Sequence, residues 1–165
     1  MSQADDAGSS IDLSTGRGRD YPTIRQFTIF LENKVGSLQA FLRRFVKSDV
    51  RILALSIIDS TECSILRVIL SHPEQGREIL ERAGLAMIES DLIAVEVRDC
   101  DQPMLDVCSA LLRAEVNLVQ TYPLMVKSDN CLTVAIMVDN IDQAMETLST
   151  HNFKMLNEDD LMELY

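Results

Sequence analysis

The stretch Phe27-Thr-Ile-Phe-Leu-Glu-Asn-Lys-Val-Gly-Ser-Leu38 predicts a strand, a short polar turn and the first residues of a helix. Its beginning is rich in aromatic and β-branched residues, which favour strands. Asn33 and Gly36 are typical turn residues. An apolar stripe at helical spacing starts directly after Ser37. This order indicates a fold that combines a sheet with helices.

The predicted helix has a copy further along the chain. Its apolar residues follow the spacing i, i+3, i+4, i+7, i+8 of one helix face: Leu38, Phe41, Leu42, Phe45 and Val46. Adding 66 to each number again gives residues that can be buried: Met104, Val107, Cys108, Leu111 and Leu112. Agreement at so many positions indicates an internal repeat of about 66 residues.

Each half of the chain predicts the order strand-helix-strand-strand-helix-strand. The first half has strands at 24–31, 50–58, 63–70 and 85–89, and helices at 36–47 and 73–83. The second half has strands at 92–97, 117–126, 131–138 and 153–156, and helices at 103–114, 141–150 and 157–165. After the hairpin of the second and third strands, the offset between equivalent residues of the two halves is 68, which maps Gly84 onto Asn152. Both residue types tolerate the left-handed backbone that ends many helices.

This order predicts the α+β class, with two ferredoxin-like βαββαβ units side by side and helices on one face of each antiparallel sheet. Residues 1–22 are expected to form a flexible tail, 23–91 the first unit and 92–165 the second. The face of the sheet without helices is apolar, at Ile52, Ala54, Ile65, Ile69, Ala135 and Met137. A second copy of the protein is the simplest cover for it, so a homodimer is expected.

Composition narrows the classes of partner. The net charge of −11 disfavours nucleic acids and anionic membrane surfaces. There is no apolar run long enough to span a membrane and no secretory signal. The four cysteines contain no C-x-x-C pair, and neither of the two histidines lies near a cysteine, so no metal site and no cofactor is expected. Cysteines of this kind fit the reducing cytoplasm.

The first loop, at residues 33–38, is the main candidate site. Gly36 has no Cβ, so a ligand can approach the backbone. The N–H groups of Ser37 and Leu38 begin a helix and are expected to be free for a carboxylate. The Asn33 amide can donate or accept a hydrogen bond. The alternative is an ordinary Asn/Gly turn before a helix.

The run Glu32-Asn-Lys-Val-Gly-Ser-Leu38 resembles the first loop of ACT domains, which are small amino-acid-sensing modules. Their usual sequence there is Glu-Asn-Lys/Arg-Pro-Gly-x-Leu, so Val35 stands in place of proline. Residues 24–165 as a whole resemble stand-alone tandem ACT proteins, including acetolactate-synthase-small-subunit-like regulatory proteins. The resemblance extends to segments 54–59, 66–69, 92–97 and 157–161. It implies one continuous eight-stranded sheet, effector sites at the seam between units, and no catalytic centre.

Two further positions follow from the resemblance. ACT domains often carry Gly-x-Asn-Ile/Val before their second strand, where the Asn can line the effector pocket of a neighbouring domain. Here the run is Glu115-Val-Asn117-Leu, with the Asn but without the glycine. Arg51 replaces the Asn in the first half, as a carboxylate ligand or as an ordinary surface arginine. The second loop, 99–104, has no glycine and two aspartates, which predicts a degenerate site and asymmetric binding.

The function expected is that of a non-catalytic regulatory protein. It would bind a free amino acid at the seam and signal to a metabolic enzyme. The alternative is a regulatory or structural subunit with a degenerate pocket. An enzyme of acylphosphatase type would need a phosphate-cradling loop, which the single Gly36 does not supply. RNA binding would need exposed aromatic residues on the central strands, and the chain has no Trp.

Overall fold

One long strand, β4 (Met87–Val97), belongs to both halves of the chain. The computed structural model describes residues 22–60, 63–97, 102–128 and 131–164. The other strands are β1 (Ile24–Glu32), β2 (Ile52–Asp59), β3 (Cys63–Leu70), β5 (Leu118–Ser128), β6 (Cys131–Val138) and β7 (Met155–Leu156). The helices are α1 (Ser37–Leu42), α2 (Pro73–Arg82), α3 (Pro103–Arg113), α4 (Ile141–Thr150) and α5 (Glu158–Glu163). The predicted tail, apart from Pro22, lies outside the described residues.

β4 replaces two predicted strands, so the sheet has seven strands and not eight. Its first part pairs with β1, from Ile29 opposite Met87 to Ile24 opposite Leu92. Its second part pairs with β6, where Ile93 lies opposite Ile136, and with the short β7. The strand order is therefore β2-β3-β1-β4-β6-β5. The backbone stays extended between the two predicted strands because β1 pairs with the residues of β4 before that point and β6 pairs with the residues after it.

The two halves repeat each other in their hydrogen bonds as well as in sequence. β3 and β6, and likewise α2 and α4, begin and end at positions that differ by 68. Gly84 and Asn152 both have a left-handed backbone, with φ of 65° and 60°, as predicted. The Phe30 N–H donates to the Ala86 carbonyl, and the Glu96 N–H donates to the Lys154 carbonyl in the same place. These shared bonds confirm two βαββαβ units.

Each half has its own core between sheet and helices. Alternate residues of the strands point into it because side chains on a strand alternate between the two faces. The first core contains Phe27, Ile29, Phe41, Leu66, Val68 and Leu80. The second contains Ile93, Val95, Leu111, Val134, Ile136 and Leu148.

A third core lies between the two half-sheets, on the faces opposite α1–α4, and also includes Leu161 of α5. β2 and β5 are at opposite ends of the strand order, yet they contact each other, so the sheet folds over at β4. Ala54 and Ile69 of the first half pack there with Leu124 and Ala135 of the second. Part of the apolar face for which a second copy was the expected cover is therefore covered within the chain.

The first helix is shorter than predicted. α1 ends at Leu42 and passes into a turn of 3-10 helix, Arg43–Phe45, so the helix does not reach residue 47. Phe41 and Phe45 are buried, but Leu42 and Val46 are exposed, and so are their equivalents in α3, Cys108 and Leu112. An apolar stripe of five residues is wider than the part of the helix surface that contacts the sheet. The residues at the edge of the stripe therefore remain exposed to solvent. The expectation that Cys108 is packed is wrong.

Pro123 lies in β5, at one end of the strand order. A missing N–H donor is tolerated on such an edge strand. In the described part of the chain, no helix is long and apolar enough to cross a membrane. Over the same residues, no group of three His, Cys, Asp or Glu side chains could hold a metal ion.

Candidate functional site

The loop between β1 and α1 is held in an unusual backbone conformation at Gly36. This residue precedes the first turn of α1 with φ 91° and ψ −8°, a left-handed region that favours glycine. A Cβ built there would have no atom within 4 Å, so the space beside the backbone is open. Val35 next to it is fully exposed. The first turn of α1 contains no acidic residue that would repel an anion.

Hydrogen bonds within the loop use part of its predicted binding capacity. The Ser37 N–H donates to the Lys34 carbonyl at 3.2 Å, so the expectation that this group is free is wrong. The Asn33 side-chain amide donates to the Ser60 carbonyl at 2.9 Å, which ties the loop to the end of β2. Lys34 also pairs with the Glu32 carboxylate and holds its pKa below the ordinary value. The loop is thus ordered by its own contacts.

Arg51 lies far from this loop. It precedes β2, whereas Ser60, the partner of Asn33, follows the other end of β2. At about 3.3 Å per residue, eight strand residues separate the two ends by roughly 25 Å. Arg51 instead borders a cleft of about 490 Å³ together with His72 and Glu163. The structure does not bring Arg51 and the first loop together within one chain.

Asn117 is exposed before β5. Its N–H donates to Asp139 Oδ1 at 3.0 Å, and its carbonyl accepts from the Asp139 N–H at 3.2 Å. Glu115, which stands in the place of the missing glycine, has a φ of 57°. Among the described residues, no hydrogen bond joins Asn117 to Asn33.

The second loop can be followed only in part. Residues 99–101, which include the two aspartates of the predicted degenerate site, lie outside the described residues. Gln102 precedes α3, which begins at Pro103 as predicted. Its first turn contains Asp106, in contrast to the acid-free first turn of α1.

A second cavity was not foreseen from the sequence. It is a groove of about 680 Å³ between one side of α3 and the segment 151–154. Asp106, Arg113, His151 and Lys154 are among its lining residues. The available signal was the spacing of Pro103, Asp106, Ala110 and Arg113, which places them on one side of a helix. The opposite wall comes from residues about 40 positions later in the sequence, which helical spacing does not reveal.

Residues 22–165 match the family model described as an ACT domain pair. Protein BT0572 from Bacteroides thetaiotaomicron is similar in structure, with 26% identity and a TM-score of 0.78 over 86% of this chain and 97% of that one. The ligand-free regulatory subunit of aspartate kinase from Thermus thermophilus has 12% identity and a TM-score of 0.55, over 82% and 96%. A comparison with the curated proteins found no match.

The likeness to the aspartate kinase regulatory subunit is one of fold alone. The family match, in contrast, spans both units, and the observed repeat of βαββαβ hydrogen bonding agrees with it. This chain therefore belongs to the ACT domain pair family.

Proposed function

We propose that this protein is a non-catalytic regulatory protein that binds a free amino acid at residues 33–38. The observation that carries the proposal is Gly36, whose left-handed backbone leaves open space beside the first turn of α1. Membership of the ACT domain pair family supports a ligand-sensing role, and the likeness to a regulatory subunit is consistent with it. The cytoplasm remains the predicted location, from the cysteine pattern.

The proposed contact is between the ligand carboxylate and the backbone around Gly36. Backbone N–H groups at the start of a helix attract an anion, and this first turn has no carboxylate to oppose it. Ser37 and Leu38 line the same turn. Exposed Val35 would contact the aliphatic part of the ligand. Asn33 is already bonded to Ser60, so it would fix the shape of the loop and offer its side-chain oxygen.

Arg51 and Asn117 enter the proposal only through a second copy of the chain. Both lie before a strand at one end of the strand order, Arg51 before β2 and Asn117 before β5, and the length of β2 separates Arg51 from the loop of its own chain. In a homodimer, either residue could approach the loop of the partner and complete a site at the seam.

Paired glycine substitutions test the loop. Gly36 and Gly84 both have positive φ, and a Cβ on either would meet no atom within 4 Å. Alanine is strained at both places because φ is positive, by about 1–2 kcal/mol, and more so at Gly36, whose φ of 91° lies beyond the usual left-handed well. We expect the unmodified protein to gain about 2.7 kcal/mol of stability from its amino acid at about 100 times Kd, measured by thermal shift against the twenty common amino acids. Gly36→Ala should lose that gain, while the control Gly84→Ala should keep it.

Equal ligand-induced shifts in the two variants would show that the loop is not the site.

The second candidate function is a structural or regulatory subunit that binds a metabolic enzyme without an effector. The internal bonds of Asn33 and Ser37 favour it, because they already satisfy groups that a ligand would use. This alternative predicts no shift with any of the twenty amino acids in the unmodified protein.

A further inference from the structure

α3 presents three different sides to its surroundings. Val107 and Leu111 point into the core of the second half, and Leu112 is exposed to solvent. A third side, with Asp106 and Arg113, lines the groove whose other wall is the segment 151–154. The groove volume of about 680 Å³ is in the range that holds small ligands.

The first half provides an internal control for this groove. The shared backbone bonds of Phe30 with Ala86 and of Glu96 with Lys154 establish which positions are equivalent. Five charged or polar groove residues have small or apolar counterparts in the first half, whereas Arg113 corresponds to Lys47 and Ser109 to Arg43; the five pairs are Asp106 and Ala40, Glu96 and Phe30, His151 and Ala83, Asn152 and Gly84, Lys154 and Ala86. The first half forms the same fold without these polar groups. The fold therefore does not require them, and a role in binding explains why they gather on one groove.

The charges of the groove are separated along its length. Asp106 and Arg113 are seven residues apart on α3, which corresponds to roughly 10 Å along the helix axis. Over the described residues, neither of these two forms an ion pair. Lys154 lies 2.7 Å from Glu96, so these two neutralise each other. The negative end at Asp106 and the positive end at Arg113 thus suit a ligand that carries both charges.

The remaining lining contributes orientation and apolar contact. The His151 ring is held by its Nδ1, which lies 2.8 Å from the Thr147 carbonyl and must donate to it. In the neutral ring this leaves Nε2 as an acceptor. Val97, Ala110 and Phe153 add apolar surface beside the charged groups. A pocket with apolar walls and a few fixed polar groups is typical of small-molecule sites.

We propose that this groove is a second ligand site, which binds a small zwitterion of the amino-acid class. The ligand ammonium faces Asp106, and its carboxylate faces Arg113. The site is formed by the second half alone; the first half has a cation, Lys47, in place of Arg113 but Ala40 in place of Asp106. The proposal does not depend on the loop at residues 33–38, because the two sites share no residue.

The test uses exposed residues and matched controls. The 165-residue protein is titrated calorimetrically with each of the twenty common amino acids. Asp106→Asn and Arg113→Gln remove the two charges, and Arg113→Lys keeps the positive one. Asp142→Asn is the control for the first, since Asp142 is also an exposed aspartate in the first turn of a helix. Lys47→Gln is the control for the second, since Lys47 occupies the position equivalent to Arg113.

We expect Asp106→Asn and Arg113→Gln each to weaken binding of at least one amino acid about tenfold or more, the usual effect of losing a charge-assisted hydrogen bond. Arg113→Lys should retain most of the affinity, and both controls should bind as the unmodified protein does. Unchanged affinity in Asp106→Asn and Arg113→Gln overturns the groove proposal. If only Gly36→Ala then loses binding, the loop proposal stands alone. If no amino acid binds, both fail.

Discussion

The guanidinium of Arg25 and the carboxylate of Glu158 form a bidentate ion pair, although 133 residues separate them in sequence. The Nε–Oε1 distance is 2.7 Å and the Nη2–Oε2 distance is 2.8 Å. Arg25 is only 7% exposed, and its third nitrogen donates to Glu74 Oε1 at 2.5 Å. These bonds, chiefly the one to Glu158, raise the pKa of Arg25, so it stays charged. They connect β1 with α2 and with the last helix, α5.

Removing the Glu158 carboxylate should destabilise the protein strongly. Glu158→Ala leaves the buried Arg25 with only one carboxylate, and breaking a buried pair in this way costs about 3 kcal/mol. The measurement is urea unfolding at neutral pH. Glu163→Ala, an exposed glutamate on the same helix, is the control and should change stability by less than about 0.5 kcal/mol. Similar losses in both variants would mean that the pair contributes little.

Gly76 and Leu70 should show strong energetic coupling. An alanine Cβ at position 76 would lie 2.3 Å from Leu70 Cδ1, so the buried leucine would have to move. We expect Gly76→Ala to cost about 1–3 kcal/mol by overpacking, despite the better helix propensity of alanine. The equivalent residues of the second half are Ala144, which is larger than Gly76, and Val138, which is smaller than Leu70.

The double variant Leu70→Val with Gly76→Ala reproduces that combination. It should therefore be more stable than the sum of the two single changes predicts, by about 1 kcal/mol in a double-mutant cycle of unfolding free energies. Additive losses would show that the two side chains do not compete for the same space.

Tyr122 should make stability depend on alkaline pH. Its hydroxyl donates to Gln26 Oε1 across the seam between the halves. Burial raises the pKa of Tyr122, and the charge of Arg67 lowers it by a smaller amount. The unfolded chain loses this proton at a pH of about 10. The stabilisation by the neutral phenol is therefore complete below that pH and is lost as the pH rises toward the higher folded-state pKa.

The matching variant is Tyr122→Phe, studied by urea unfolding between about pH 8 and pH 11. At the lower pH it should be less stable than the unmodified protein by about 1 kcal/mol, the net value of the hydrogen bond. The difference should shrink as the pH rises above about 10. Parallel stability curves over the whole range would contradict the assignment.

The uncovered end of the first half-sheet should mediate self-association. Phe30 lies opposite Ile65, which lies opposite Ile58, so three apolar residues cross three strands in one row. Phe30, Ile58 and the nearby Ile88 are 40%, 47% and 55% exposed. This patch continues the face whose other end is buried against the second half. We expect a dimer by sedimentation velocity, because exposed apolar patches of this kind commonly form interfaces.

Phe30→Lys or Ile88→Lys should give a monomer whose circular dichroism spectrum matches that of the unmodified protein. Val119→Lys, at an exposed residue of β5, should leave the dimer intact. A monomeric unmodified protein at high concentration, or a dimer that survives both patch substitutions, would exclude this surface.

Features with a local cause could be predicted from the sequence. β3 and α4 begin and end where the apolar patterns place them, and Gly84 and Asn152 have the expected left-handed backbone. Fusion of two predicted strands into β4 could not be predicted, because it depends on partners that are distant in sequence. The same reason applies to the pair of Arg25 with Glu158, since no periodicity relates two single residues so far apart.

The candidate sites show the same division. Residues 33–38 form one continuous loop, so their proximity could be read from the sequence. The family resemblance groups Arg51 with them, but the length of β2 separates it from the loop in one chain. The groove between α3 and residues 151–154 was missed because its two walls meet only after the second half has folded.

The shared strand β4 also limits how the two units can be separated during evolution. Tandem domains that are joined by a linker can be exchanged or duplicated separately. In this chain no linker separates the two units, because β4 pairs with β1 up to Leu92 and with β6 from Ile93. A gene fragment that encodes either unit must carry all of β4 or cut it. An uncut β4 would expose an unpaired edge that invites aggregation. Recombination should therefore transmit the two units together.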